Sequence, residues 1–185
     1  MKMLRRSTTI DVTMIGLCTA LVAISAFIRI PLPMVPITLQ ILMVVLAGML
    51  LGPLRGAVSV LLYVLIGLAG LPIFTQGGGL SYVYKPSFGY LLGMIVGAAV
   101  VGWLSAMRKP SFLWLLVSGF AGLIVVYIFG VVYMHVLFNH VVLTPGMDWR
   151  KLISIGVLVP LPGDCIKLVL AALVGQRLIP LLRED

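Results

Sequence analysis

The sequence predicts an all-α polytopic membrane protein, six transmembrane helices in a single domain over residues 1–185, with both termini cytoplasmic. Composition is the first observation behind this. Hydrophobic residues make up 62% of the chain and charged residues 10%, whereas soluble domains run near half apolar and about a quarter charged. So much apolar surface cannot be folded away from water. The second observation is length: apolar runs recur near 20 residues, which is what a helix needs to cross about 30 Å of hydrocarbon. The third is the placement of basic residues, which gather towards the ends of those runs and in the segments between them.

The first span is read from about Asp11 to Ile30. It exceeds the apolar core of a cleaved signal, about 7–15 residues, and Arg29 lies where a cleavage region would fall, so a retained helix is expected. The second runs from about Ile37 to Leu51, short enough to share its depth with the proline-rich stretch "PLPMVPITLQ" before it. The third covers about Leu54 to Leu71, the fourth Phe88 to Met107 and the fifth Phe112 to Phe138. For the last span, Leu152 and Pro162 are alternative starts before an end near Leu182. Pro160 and Pro162 would disturb a helix interior, but proline suits a first turn, so the helix proper is expected from Pro162.

Basic residues in short loops stay on the cytoplasmic side. With the N-terminus inside, the inner segments hold Lys2, Arg5, Arg6, Arg55, Arg108, Lys109, Arg177 and Arg183. The outer ones hold Arg29, Lys85, Arg150 and Lys151, with Lys167 near the outer end of the last helix. The long connections Pro72–Ser87 and Asn139–Lys151 then face outside. A net charge of +8 is spread over helix ends, which fits anionic lipid and topology rather than nucleic acid. Cys18 and Cys165 stand at different membrane depths, too far apart for a disulfide.

Polar residues at membrane depth are costly and point to function. In "VPLPGDCIKLVL", Asp164 and Lys167 are three apart and share one helical face. A carboxylate offers acceptors and an ammonium offers donors. Together they suit a neutral ligand with N–H groups on one side and a carbonyl on the other, as in a urea or amide ring. The stretch "TQGGGLSYVYKPSFGYLLG" lies over the same end. Gly77, Gly78 and Gly79 permit unusual backbone and close approach, Tyr82, Tyr84 and Tyr90 bring apolar faces with a hydroxyl edge, and Lys85 adds a charge beside Pro86. Thr38 and Gln40 enter the second helix with hydrogen-bonding capacity, directed either to the pocket or to a neighbouring helix.

In this order and at these separations, "PLPMVPITLQ", "GGGLSYVYKPSFGYLLG" and "PLPGDCIK" resemble the signatures of the BioY family, the biotin-binding membrane subunits of energy-coupling factor (ECF) transporters. The resemblance covers nearly the whole chain. It implies a six-helix S-component in a prokaryotic cell membrane that binds biotin with high affinity for uptake, with a transmembrane coupling subunit and two cytoplasmic ATPases as partners. It implies that Asp164 accepts from the ureido N–H groups, that Lys167 donates to polar ligand atoms while balancing the aspartate, and that the glycine segment closes over the bicycle with Tyr82 as a wall. Family members often carry a polar residue such as asparagine in that segment, where this chain offers Gly77 to Gly79 and Ser81. On physical grounds Lys85 is the candidate for the ligand carboxylate.

No G-x-x-x-x-G-K-[ST] phosphate loop is present, so ATP-driven transport requires partners. Helix one carries small residues at helical spacing, Gly16 with Ala20 and Thr19 with Ala23, which allow another helix to approach closely. The resemblance implies that this face docks on the coupling subunit; packing within the bundle is the alternative. His135 and His140 are five apart with no cysteine or carboxylate cluster, so neither a metal nor a cofactor is expected, biotin being cargo. Asp11 suits a helix-start role. The competing readings are a subunit for another small vitamin on the same scaffold and a small membrane enzyme using Asp164 as base. The enzyme reading lacks a nucleophile, and no catalytic residue is expected.

Overall fold

The computed structural model describes residues 8–32, 34–142 and 147–183, the side chain of Arg183 excepted. The expectations placed on Lys2, Arg5, Arg6, Pro33 and the Arg183 side chain lie outside the described residues. Among the described residues seven α-helices follow in order: α1 Thr8–Phe27, α2 Gln40–Leu51, α3 Pro53–Leu68, α4 Phe88–Met107, α5 Phe112–Val136, α6 Trp149–Ile153 and α7 Leu161–Arg183. The short α6 forms part of the outer connection, and the other six correspond to the expected spans. Among the described residues, four apolar helical stretches are long enough to cross a membrane, Thr8–Phe27, Phe88–Met107, Phe112–Val141 and Trp149–Leu182, while α2 and α3 are shorter.

At about 1.5 Å per residue, α2 is only about 18 Å long. Its position explains why that suffices. Packed against α1, α3, α4 and α7, it buries eight of its twelve residues, so protein rather than lipid surrounds it. Just before its first turn lies a short non-helical piece of this all-α fold: β1 Arg29–Ile30 pairs antiparallel with β2 Ile37–Thr38. Prolines account for this. A residue preceding proline is pushed toward extended conformations, as Ile30 is before Pro31, and helix cannot propagate through prolines. Non-helical backbone at membrane depth is tolerated where it is enclosed by protein or borders a cavity.

Within the expected outer connection Asn139–Lys151, the described residues carry helical turns of their own. A π turn, Leu137–Val141, extends α5, and Asp148 caps α6 by accepting from the Lys151 amide at 3.1 Å. A second π turn, Ser154–Leu158, then leads to α7.

The tightest packing joins α4 to α5. Gly93 and Gly97 recur one turn apart, and a Cβ on Gly93 would stand 2.8 Å from Val126 Cα, while one on Gly97 would stand 3.0 Å from Gly122 O. Missing side chains let the two backbones touch. An ion pair of 2.5 Å between Asp11 and Arg55 ties the first turns of α1 and α3 together at one end of the bundle. The starts of α2, α4 and α7 gather at the other.

At that second end the loop between α3 and α4 folds down onto the bundle. Phe74 is its anchor, 1% exposed, with its ring edge-on to Tyr63 at 5.4 Å and tilted against Tyr82 at 4.5 Å. The three glycines serve this fold. Gly77 and Gly79 have φ of +113° and +92°, values that side-chain-bearing residues rarely adopt. Gly78 has no room for a Cβ, which would collide with the Leu71 carbonyl and lie 3.1 Å from Gly67 O. Because the obstruction is backbone, Gly78→Ala is expected to lower stability by about 1–3 kcal/mol, read as a fall in unfolding temperature of the detergent-solubilised protein. An unchanged transition would mean that the loop shifts freely.

Candidate functional site

The first turn of α7 sets the site. Asp164, 3% exposed, stands beside the helix N-terminus, where the helix dipole favours a negative charge. One turn on, Lys167 is 7% exposed and its ammonium donates to Asp164 Oδ1. The same Nζ donates to the carbonyl of Thr38 at 2.6 Å, so one cation both balances the carboxylate and pins β2 to α7. On the other side, Tyr127 Oη of α5 donates to Asp164 Oδ2 at 2.6 Å.

From Thr38 the polar chain continues into the bundle. The Gln40 amide N–H is 3.3 Å from Thr38 Oγ1, and that hydroxyl donates to Gln40 Oε1 at 3.2 Å. Gln40 Nε2 donates to Tyr63 Oη of α3 at 2.9 Å, and Tyr63 donates to the Ile73 carbonyl at 3.3 Å. Among the described residues, no buried side-chain nitrogen or oxygen lacks a partner, as expected where water is excluded.

A cavity of about 510 Å³, counted out to its open mouth, lies beside this chain. Its apolar walls come from the strand connection and α2 (Val35, Pro36, Ile37, Ile41), from α4 (Leu91, Met94) and from Val126 and Pro160. Its polar groups are Thr38, Gln40, Thr75, Tyr82, Ser87, Tyr90, Tyr127 and Asp164. Each oxygen of Asp164 takes one bond from the protein, which leaves lone pairs on both for ligand donors.

Of the residues singled out in the sequence, Asp164, Tyr82, Tyr90, Thr38 and Gln40 line this cavity, whereas Tyr84 is exposed outside it. Gln40 meets both of its alternatives, since its amide bonds to α3 while the residue borders the cavity. Lys167 is bonded to Asp164 but forms no part of the wall. Gly77, Gly78 and Gly79 do not line it either, and the close approach, made at Gly78, is to the backbone of Leu71 and Gly67. Ser81 and Lys85 are exposed and outside the wall.

Tyr127, Thr75 and Ser87 were not anticipated, and Tyr90 only as an apolar face. Tyr90 Oη in fact donates to Gly156 O at 2.8 Å, joining α4 to the second π turn. For Thr75 and Ser87 the available signal was two hydroxyls flanking the glycine and tyrosine run. For Tyr127, 37 residues before its partner, there was none.

The small-residue face of α1 divides. Gly16 and Ala20 are exposed, and nothing lies within 4 Å of a Cβ on Gly16. Thr19 is buried, its hydroxyl donating to Ile15 O and to Ser59 O of α3, both at 2.9 Å, and Ala23 packs against the core. That second pair is therefore committed to the bundle. His135 stacks on Trp149 with centroids 4.0 Å apart and bonds through Nδ1 to Asn139, while His140 is exposed.

Residues 1–184 match the BioY family. A probable biotin transporter BioY of Lysinibacillus sphaericus is 41% identical over 183 residues, 98% of this chain and 93% of the relative. A biotin transporter BioY of Thermotoga maritima is 44% identical over 164 residues, 88% of this chain and 92% of the relative. A crystal structure of the S-component for biotin from an ECF-type ABC transporter superposes with a TM-score of 0.81 at 27% identity, covering 96% of this chain and 94% of that one.

Proposed function

The chain belongs to the BioY family, and from that membership we propose that it is the biotin-binding S-component of an ECF-type transporter, a transport subunit for biotin uptake rather than an enzyme. The observation that carries the reading is the cavity with Asp164 in its wall, held by Tyr127 and Lys167. An acceptor carboxylate set among apolar walls suits a cyclic urea with two N–H groups and an apolar bicyclic body. Isothermal calorimetry on the purified chain tests it: tight binding of biotin with no heat from thiamine or riboflavin is the expected result, and binding of either rival instead would transfer the scaffold to another vitamin.

The cell membrane of a prokaryote is its location in this reading, with the cavity end outward as the basic residues direct. The chain takes part in transport with a transmembrane coupling subunit and two cytoplasmic ATPases. Support for a docking face comes from α1, the least buried of the four long helices, whose exposed Gly16 and Ala20 leave space for an approaching helix. Gly16→Leu is expected to preserve biotin affinity while reducing co-purification of the coupling subunit severalfold. Undiminished co-purification would move the interface off this face.

A further inference from the structure

We propose that Thr75, Tyr82 and Ser87 form a donor pole that reads the carbonyl oxygen of the bound ligand, the counterpart of the acceptor carboxylate of Asp164; this rests on the biotin reading above. Thr75, from the loop between α3 and α4, is 6% exposed, Tyr82 is 2% exposed and Ser87, at the entry to α4, is 7% exposed. Their hydroxyls form one line, Thr75 Oγ1 to Tyr82 Oη at 2.7 Å and Tyr82 Oη to Ser87 Oγ at 3.1 Å. All three border the cavity.

Counting protons gives the argument. Three hydroxyls carry three protons, and each of the two bonds between them uses one. Whichever way the line is polarised, one proton is left with no acceptor inside it, at Ser87, at Thr75 or at Tyr82 itself. Ser87 stands at the N-cap position of α4 but makes no side-chain capping bond there, so its hydroxyl is not diverted to the helix. The remaining proton sits on a buried group at the cavity wall, where an acceptor on a ligand would complete the set.

Lys167, bonded to Asp164 and the Thr38 carbonyl, stands outside the cavity wall. The carboxylate accepts and the hydroxyl line donates. A neutral ligand carrying N–H groups and a carbonyl meets both, and one lacking a strong acceptor leaves the line incomplete. Sites built to hydrogen-bond a particular group reject analogues without it more strongly than apolar walls reject a change in size.

The test compares biotin with 2-thiobiotin, which keeps both N–H groups but replaces the carbonyl oxygen by sulfur, a weak acceptor. In the full chain, Thr75→Val/Tyr82→Phe/Ser87→Ala is expected to weaken biotin about tenfold or more while leaving 2-thiobiotin nearly unchanged, so that discrimination collapses. Unaltered biotin affinity would overturn the proposal, and so would an equal loss of both ligands with discrimination intact. Should the triple variant fail to fold, the three single variants decide, since at least one must narrow the ratio and three parental ratios refute the assignment. A parent that binds no biotin would bring down the functional reading itself, which separates the two failures.

Discussion

Asp164→Asn is expected to weaken biotin binding by about 1–3 kcal/mol, roughly five- to 150-fold, with the chain still folded. The change conserves shape and alters only chemistry. The carboxylate accepts from Lys167 on one oxygen and from Tyr127 on the other, and both retain lone pairs for ligand N–H groups. An amide has one accepting oxygen and one donating nitrogen. If the oxygen turns to Lys167, the nitrogen can donate to the Tyr127 oxygen but opposes any ligand N–H nearby; if it turns to Tyr127, the nitrogen opposes an ammonium. Either arrangement sets donor against donor beside the ligand. Calorimetry that finds parental affinity in a folded Asp164→Asn protein would place the pocket elsewhere.

Local signals made the membrane helices legible. Helix α4 runs Phe88–Met107 as expected, because Pro86 and Pro110 bracket its apolar run and a helix interior excludes proline. Helix α7 begins one residue before the proline expected to open it. The strand pair was not legible, since two-residue strands carry no periodicity and form because the prolines leave their neighbours' backbone groups needing partners.

Within the site, Asp164 and Lys167 could be paired from spacing alone because they lie on one helix. Contacts of Tyr127 with Asp164 and of Lys167 with Thr38 bridge 37 and 129 residues, distances across which no periodic pattern acts. The glycine run was read correctly as conformationally special, but its object could not be read. Close approach to a ligand and close approach to the Leu71 carbonyl demand the same residue type.

Lys167→Met should cost about 3–5 kcal/mol of stability, the usual penalty for stripping one partner from a buried ion pair. Methionine fills a similar apolar volume, so the loss is electrostatic. It leaves the Asp164 carboxylate, 3% exposed, with the Tyr127 hydroxyl as its remaining side-chain donor, and it removes the bond that holds the Thr38 carbonyl to α7. Two consequences separate these causes. Adding Asp164→Asn to Lys167→Met deletes the orphaned charge, so the double variant should regain most of the lost stability in denaturant unfolding followed by circular dichroism. Biotin binding should stay impaired, because the acceptor is gone. If the double variant were as unstable as Lys167→Met alone, the stabilising element would be the tie between α7 and β2, and the carboxylate would be held by Tyr127 without need of the cation. If Lys167→Met were as stable as the parent, the two groups would not be a buried charged pair at all, and a neutral acid at Asp164 would have to donate a proton where this site is built to accept one.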